Sequence, residues 1–521
     1  MGLVADLQLD DDQRAQAPHA VVIGSGFGGL ATAVRLAGKG YRVTVVEKLD
    51  GPGGRAYTYH QDGFVFDAGP TLITAPHIFE EVWQSVGGTM SDDVDIRPCD
   101  PFYKIRFDDG DVFTYSDDHD AMRAEIARIS PADLDGFDRY LKMSQRIYEV
   151  AFEKMGGVPF HSFAFTMACF VDLLKLGGYR SVHQKVSDYF KHPKLRMAFS
   201  FHPLFIGGNP YSTTGFYCLI AHLERTFGVH YAVGGTGAVI RGLVRLLERN
   251  GGQIRYNSPV KSILTDGDRA IGVALEAGEQ IAADIVVSNV DPAWTYGEFL
   301  SDHKRKRWSD RKIRSVEYTM SLFVWYFGTD RKYEDVGHHS ILLGPRYKGL
   351  LDDIFSHKRI TKDFSLYLHR PTDHDASLAP EGCDTFYALS PVPNLASGTD
   401  WEAFGESYRQ RVQKRLEETV LPGLSDHIVT SRILTPQDFL DRYSSYQGAA
   451  FAMEPTLFQS AYFRPHNRSE ELKGLYMVGA GTHPGAGVPS VTLSAKIVAD
   501  LVPDAADYPA SDLAVPLAVR Q

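Results

Sequence analysis

Two glycine-rich blocks, one near each end of the 521-residue chain, constrain the fold more than anything between them. The first, at residues 19–48, reads HAVVIGSGFGGLATAVRLAGKGYRVTVVEK. The second, at residues 474–502, reads GLYMVGAGTHPGAGVPSVTLSAKIVADLV. The apolar run at 20–23 suits a strand buried on both faces. Gly24 permits a tight turn, Gly26 lets a pyrophosphate approach the backbone, and Gly29 lets the next helix lie close to the sheet. That helix, expected at 30–38, aims unpaired N–H groups at phosphates. A second strand at 42–46 ends at Glu47, eighteen residues past Gly29. A carboxylate there accepts both ribose hydroxyls and repels a 2′-phosphate, which selects FAD or NAD over NADP.

Residues 48–70 separate FAD from NAD. Lys48 and the run Gly51-Pro52-Gly53-Gly54-Arg55 come directly after the ribose acid. Gly53, Gly54 and the Arg55 guanidinium supply further donors to a long, doubly charged dinucleotide. Residues 63–70, GFVFDAGP, read as a strand and a tight turn whose Gly69 and Pro70 bring backbone toward an isoalloxazine ring. NAD enzymes need no such second element. At the far end a strand is expected at 476–478, a turn through Gly479, Gly481 and Thr482, and a helix at 488–501 whose first residues, Val488 and Pro489, face the flavin or the ribityl chain. One nucleotide held by both ends of a chain describes an α/β flavoprotein. Its FAD domain is Rossmann-like, interrupted, and built from residues 19–95, 227–290 and 465–503.

Between these pieces, residues 96–226 read as a mainly helical, membrane-facing substrate-entry region, with amphipathic spacing at 118–129 and 134–150. Residues 231–257 return to the nucleotide domain, where Gly234-Gly235-Thr236-Gly237 opens a helix ending near Asn250 and a strand comes next at 253–256. Strands are also expected from Val260 and at 285–289. Residues 291–464 alternate β-like runs (320–327, 364–369) with helices (401–420) and read as an inserted mixed-sheet substrate domain. A frayed tail is expected after Pro503, across residues 504–521.

Composition excludes several classes. The net charge is −11 without a basic stripe, so nucleic acid is not an expected partner. Cys99, Cys169, Cys218 and Cys383 lie far apart with no CxxC pair, so no metal site is expected, and reduced thiols are. The first nineteen residues are acidic and polar, unlike a secretion signal, and Asp6 stands where myristoylation needs a hydroxyl residue. The stretch GGVPFHSFAFTMACFV, residues 156–171, carries no formal charge and is rich in Phe. It is too short to span a bilayer. It suits either a cavity wall or a segment lying in the membrane interface, with Lys154, Asp172 and Lys175 at its edges.

These segments, together with SFHPLFIGGNPYSTTGFYCLI at 200–220 and FRPHNR at 463–468, resemble bacterial-type phytoene desaturases. Those are FAD-dependent carotenoid desaturases of the amine-oxidase-like flavoprotein superfamily. The resemblance runs from about residue 19 to 503, and the GAGTHPGAGVPSV block is its most specific part. It implies removal of two hydrogens from adjacent saturated carbons of phytoene and its desaturated intermediates, giving neurosporene or lycopene, with lycopene placed first. It also implies a peripheral location on the cytoplasmic side of the cell membrane and oxygen or a quinone as electron acceptor. In relatives the backbone at the Val260 position meets the adenine. Some relatives carry an acidic and a basic residue where this chain has Ala164-Phe165-Thr166-Met167-Ala168, so no role for charge transfers there.

No catalytic acid or base stands out. His202 and His483, in the two blocks expected to face the flavin, are the candidates; a loop-holding role for the first and a cofactor-positioning role for the second are the alternatives. Arg464 and His466 read as loop anchors, and Asp67 as a carboxylate that stabilises a turn. Other functions compatible with the motifs are a carotenoid isomerase or later-stage desaturase, a flavin amine oxidase, and a non-enzymatic prenyl-binding escort protein. The intact Glu47 and Gly53-Gly54-Arg55 set argues against the last.

Overall fold

A computed structural model describes residues 16–160 and 163–509, without the side chains of 163–166, 170 and 173. The acidic N-terminal stretch, most of the expected tail and part of the Phe-rich run lie outside the described residues. Five parallel strands from distant parts of the chain form one sheet in the order Gln253–Arg255, Arg42–Val46, His19–Ile23, Ile285–Ser288, Leu475–Met477. Register is fixed by Ile23 opposite both Val46 and Ser288, with Ser288 opposite Met477. Strands His19–Ile23, Ile285–Ser288 and Leu475–Met477 are buried on successive residues because both faces are covered, whereas Arg42–Val46 alternates at its start and the edge strand Gln253–Arg255 is partly exposed. Ala20, Val22, Val43 and Val45 pack under helices Phe27–Gly38, Thr236–Arg249 and Val488–Leu501. Val21, Ile23, Val46 and Val286 meet the three-stranded antiparallel sheet of Val260–Asp266, Arg269–Leu275 and Gln280–Ala282.

The first helix begins at Phe27, three residues before the expected start, because Gly26 serves as its N-cap and the turn needs no further residues. The last strand sits one residue earlier than expected. Beyond Pro503 the chain does not fray at once: Ala505 N–H donates to the Lys39 carbonyl (2.9 Å), and Tyr508 Oη donates to the Asp284 carbonyl (3.0 Å).

A second, seven-stranded sheet runs Ile428–Leu434, Ser321–Thr329, Asp384–Val392, Leu366–His369, His339–Leu342, Tyr103–Arg106, Val112–Tyr115. Its last two strands belong to the stretch read as mainly helical. Alternation sorts its two faces. Phe323, Trp325, Phe327 and Phe386 pack against helix Trp401–Thr419, whereas Leu322, Val324, Tyr326, Tyr367 and Tyr387 point the other way. That second face forms one wall of the main cavity. Helices His119–Ile129 and Leu134–Tyr148 appear where the amphipathic spacing predicts them, the first capped by Asp118.

Candidate active site

The parallel sheet ends at a glycine turn that opens into a cavity of about 730 Å³. Gly24, at φ +93°, donates to the Val46 carbonyl (2.8 Å) and turns the chain out of the first strand. Gly53 then donates to the Ser25 carbonyl (3.0 Å), which lays the second glycine run beside the first at Gly26. Gly29 does not line the cavity. A Cβ there would sit 2.0 Å from the Gly24 carbonyl oxygen, so this glycine sets how closely helix and turn approach.

Glu47 is buried at the cavity wall. Its Oε2 accepts from the Ser25 N–H (2.8 Å) and hydroxyl (2.7 Å), and its Oε1 accepts from the Leu49 N–H (2.9 Å). A carboxylate has about four lone-pair sites, so with three in use it retains capacity for about one ribose hydroxyl rather than the expected two. Lys48 lines the same wall, and its ammonium donates to the Asp441 carbonyl (2.6 Å) and to Oγ of Ser444 (3.1 Å), itself a lining residue. Arg55 lines the cavity with one nitrogen on Ser445 Oγ (2.5 Å), and its Nε has no acceptor among the described residues. Burial lowers its pKa, and Asp291 opposes the shift. A guanidinium with an unused donor at a glycine-lined wall fits a pyrophosphate. Gly69 needs to be glycine because a Cβ would lie 2.3 Å from the Arg55 carbonyl oxygen; Gly69, Pro70 and Gly54 all line the cavity.

The far end of the chain closes the same space. Gly479, Val488, Pro489 and His483 line it, as does Val260 from the neighbouring sheet. Gly481 and Thr482 do not line it. A Cβ on Gly481 would meet Pro292 Cδ at 2.2 Å, and Thr482 Oγ1 donates to the Pro465 carbonyl (2.5 Å), so both lock the turn from behind. The His483 ring lies edge-on to Phe160 at 4.7 Å and its Nε2 is 3.4 Å from the Met155 carbonyl oxygen. The buried Arg464 anchors the loop below by donating to the Met453 carbonyl (2.8 Å). His466 holds the Tyr462 carbonyl (3.0 Å).

His202 falls outside the cavity lining. Its Nε2 meets Glu224 Oε2 at 3.2 Å behind the wall, and Tyr103 donates to the other oxygen (2.7 Å). The cavity therefore sees Glu224 rather than the histidine. Asp67 caps a helix rather than a turn, accepting from the N–H groups of Thr236 (2.8 Å) and Gly237 (3.1 Å); burial raises its pKa to about 6 against those bonds.

Beyond the polar end the walls become apolar: Phe201, Phe205, Leu219, Leu322, Ile341 and Tyr367 among them. Met155, Phe160, Cys169, Ala461 and Phe463 also line the cavity, the first four packed as one cluster. Around it Met167, Val171 and Leu174 of helix Phe163–Lys175 are exposed, with Phe458 72% exposed nearby. Within the expected 164–168 stretch, the side chains of Ala164 to Thr166 lie outside the described residues. No helix among the described residues is long and apolar enough to cross a membrane.

Sequence reasoning missed Asn289 and Glu224. Asn289 comes just after strand Ile285–Ser288, and its amide lies within 3 Å of where Gly26, Gly28 and Gly479 would carry a Cβ. Its signal was its place just past the carboxyl end of a parallel strand, where ligands of such sheets gather. Glu224 lies inside an amphipathic helix, where a single acid resembles any solvent-facing residue.

Residues 27–503 match the family of flavin-containing amine oxidoreductases. The chain is 47% identical over 496 residues to the neurosporene-forming phytoene desaturase of Cereibacter sphaeroides, covering 94% of this chain and 96% of that protein. It is 45% identical over 487 residues to a lycopene-forming phytoene desaturase of a Paracoccus species (93% and 97% covered) and 44% identical over 482 residues to that of Pantoea ananas (92% and 98%). Among solved structures, putrescine oxidase superposes with a TM-score of 0.63 at 14% identity, covering 94% of this chain and 98% of that one. An oxidoreductase from Methanosarcina mazei does so at 0.64 and 19% identity, covering 92% and 100%.

Proposed function

The chain belongs to the flavin-containing amine oxidoreductase family and, within it, to the bacterial-type phytoene desaturases, and from that premise we propose that it desaturates phytoene stepwise at a membrane surface. The observation that carries this reading is a single cavity with a dinucleotide cradle at one end and an apolar slot with an exposed apolar rim at the other.

FAD is the cofactor, and the residues present fit it: Glu47 for the adenosine ribose, Gly26, Gly53 and Arg55 for the pyrophosphate, and Gly69, Gly479 and the start of helix Val488–Leu501 for the ring end. Bound FAD supplies the two-electron acceptor. Each cycle turns one CH2–CH2 unit into CH=CH, one hydrogen leaving as hydride and its neighbour as a proton. Conjugation spreads the positive charge that develops, so the proton needs only a weak acceptor. The protein's own task is orientation and exclusion of water, and the apolar walls at Phe205, Leu322 and Ile341 perform both.

Substrate supply argues for lipid. At about 0.8 kcal/mol per CH2, a hydrocarbon of about 40 carbons costs on the order of 30 kcal/mol to hold in water. The rim of Met167, Val171, Leu174, Phe458 and Phe463, with Lys154 and Lys175 at its edge, supports shallow docking on the cytoplasmic leaflet. Oxygen or a membrane quinone then reoxidises the flavin. The test is incubation of the FAD-loaded enzyme with phytoene in liposomes and chromatography of the pigments. Neurosporene or lycopene is expected; flavin-loaded enzyme that leaves phytoene intact under both acceptors overturns the reading.

A further inference from the structure

A buried group of imidazoles and a thiol on the seven-stranded sheet takes no part in the redox cavity. His339 opens one strand with His338 just before it, His369 ends the neighbouring strand, and His339 stands opposite His369. Cys99 arrives from a different segment, just after strand Ile96–Pro98, where its N–H donates to the Val229 carbonyl (2.8 Å). All four side chains are buried. One ligand atom each from Cys99, His338 and His339 lies within 4.8 Å of the others. Cys99 Sγ is 3.9 Å from His339 Nε2, and His338 Nε2 is 3.1 Å from His369 Nε2.

The Cys99–His339 and His338–His369 separations are each close to one edge of a zinc tetrahedron, whereas His369 stands outside the group whose ligand atoms all lie within 4.8 Å of one another. With Zn–S of about 2.3 Å and Zn–N of about 2.0–2.1 Å, tetrahedral angles put S and N about 3.6 Å apart and two N about 3.4 Å apart. The outward nitrogens of His338 and His339 are already held, as metal-bound histidines require. His338 Nδ1 meets His374 Nδ1 at 2.7 Å, and His339 Nδ1 meets the Tyr367 hydroxyl at 2.7 Å. Charge also balances. A dication and one thiolate leave a single positive charge; Arg370 adds another, and Asp373 and Asp384, 2.6 and 4.0 Å from that guanidinium, cancel both.

We propose that Cys99, His338 and His339, joined by His369 on a turn of its ring from 3.1 Å beside His338, form a structural zinc site that pins the segment after Ile96–Pro98 to the seven-stranded sheet. Binding releases the Cys99 thiol proton to solvent and forms one Zn–S and three Zn–N bonds, with no change of oxidation state. A closed set of four protein ligands leaves no position for substrate, so the ion is structural. Its effect reaches the cavity through Tyr367, which lines the wall and also meets Thr71 Oγ1 at 2.6 Å. The absence of a CxxC pair speaks only to local motifs; these ligands come from three segments of the chain.

The test uses the FAD-loaded enzyme incubated with zinc chloride and then dialysed, with metal content and the zinc X-ray absorption edge as readouts. About one zinc per chain is expected, with one sulfur at about 2.3 Å and nitrogens at about 2.0–2.1 Å. Cys99→Ser should lose the sulfur shell and most of the metal, while Cys383→Ser retains both. Failure of wild-type enzyme to hold zinc, a spectrum without sulfur, or equal retention in folded Cys99→Ser would overturn the proposal. The wild-type spectrum decides even where the variant does not fold. None of these readouts depends on desaturase activity.

Discussion

Replacing Gly29 by alanine isolates the role of the glycine turn. The added Cβ would stand 2.0 Å from the Gly24 carbonyl oxygen, 3.2 Å from its carbon and 3.3 Å from Asn289 Cβ, against 3.4–4 Å for ordinary contact. The clash is with backbone, and that backbone is tied to the second strand by the Gly24–Val46 hydrogen bond (2.8 Å). The helix must therefore withdraw by more than an ångström, taking its phosphate-facing N–H groups with it. Overpacking costs about 1–3 kcal/mol, and a rigid obstacle puts this site at the upper end. At about 1.4 kcal/mol per decade, 3 kcal/mol multiplies the unfolded population by about 150. Gly26→Ala is the control. Its Cβ would meet only the end of the Asn289 amide at 2.8 Å, at a backbone conformation (φ −70°, ψ 176°) that alanine adopts freely. Urea unfolding with and without added FAD, alongside flavin content by absorbance, separates the two. Gly29→Ala should lose both stability and flavin, and Gly26→Ala chiefly flavin. A Gly29→Ala protein with the wild-type midpoint and full flavin would refute the packing argument.

Glu47→Gln removes a charged acceptor worth about 1.5–3 kcal/mol per hydrogen bond, so FAD affinity should fall roughly 10- to 100-fold, read by flavin fluorescence quenching. His19 is held neutral between the Ala282 carbonyl (2.7 Å) and the Thr44 hydroxyl (2.9 Å), and burial lowers its pKa to about 4. Its stabilising contribution is complete above the unfolded value of 6.5 and is lost as pH falls toward 4, about 3 kcal/mol in all; His19→Gln should flatten that limb of the urea midpoint against pH. Changing Met167, Val171 and Leu174 together to Asp should abolish sedimentation with liposomes and leave bound flavin intact. Continued sedimentation would remove the rim from the docking surface.

Legibility in the sequence tracks the locality of the physics. Strand Arg42–Val46 and helix Val488–Leu501 lie where the sequence places them, because apolar alternation and the Gly487 and Pro489 punctuation are written within a few residues. The first helix starts earlier than its sequence suggests because Phe27 and Gly28 read as more of the turn, whereas the capping residue is Gly26. Strands Tyr103–Arg106 and Val112–Tyr115 hide among helices because each is only four residues long, and the first finds its parallel partner far away, at His339–Leu342. The site divides in the same way. Gly24, Glu47 and Arg55 sit in motifs whose spacing carries their chemistry, and they meet at one cavity. Asn289, Glu224 and the group around His338 acquire meaning only from neighbours that the chain order does not place beside them. A motif reports chemistry that one loop performs alone. Chemistry assembled across sheets becomes visible only when register is known, and the pairing of His339 with His369 is such a case.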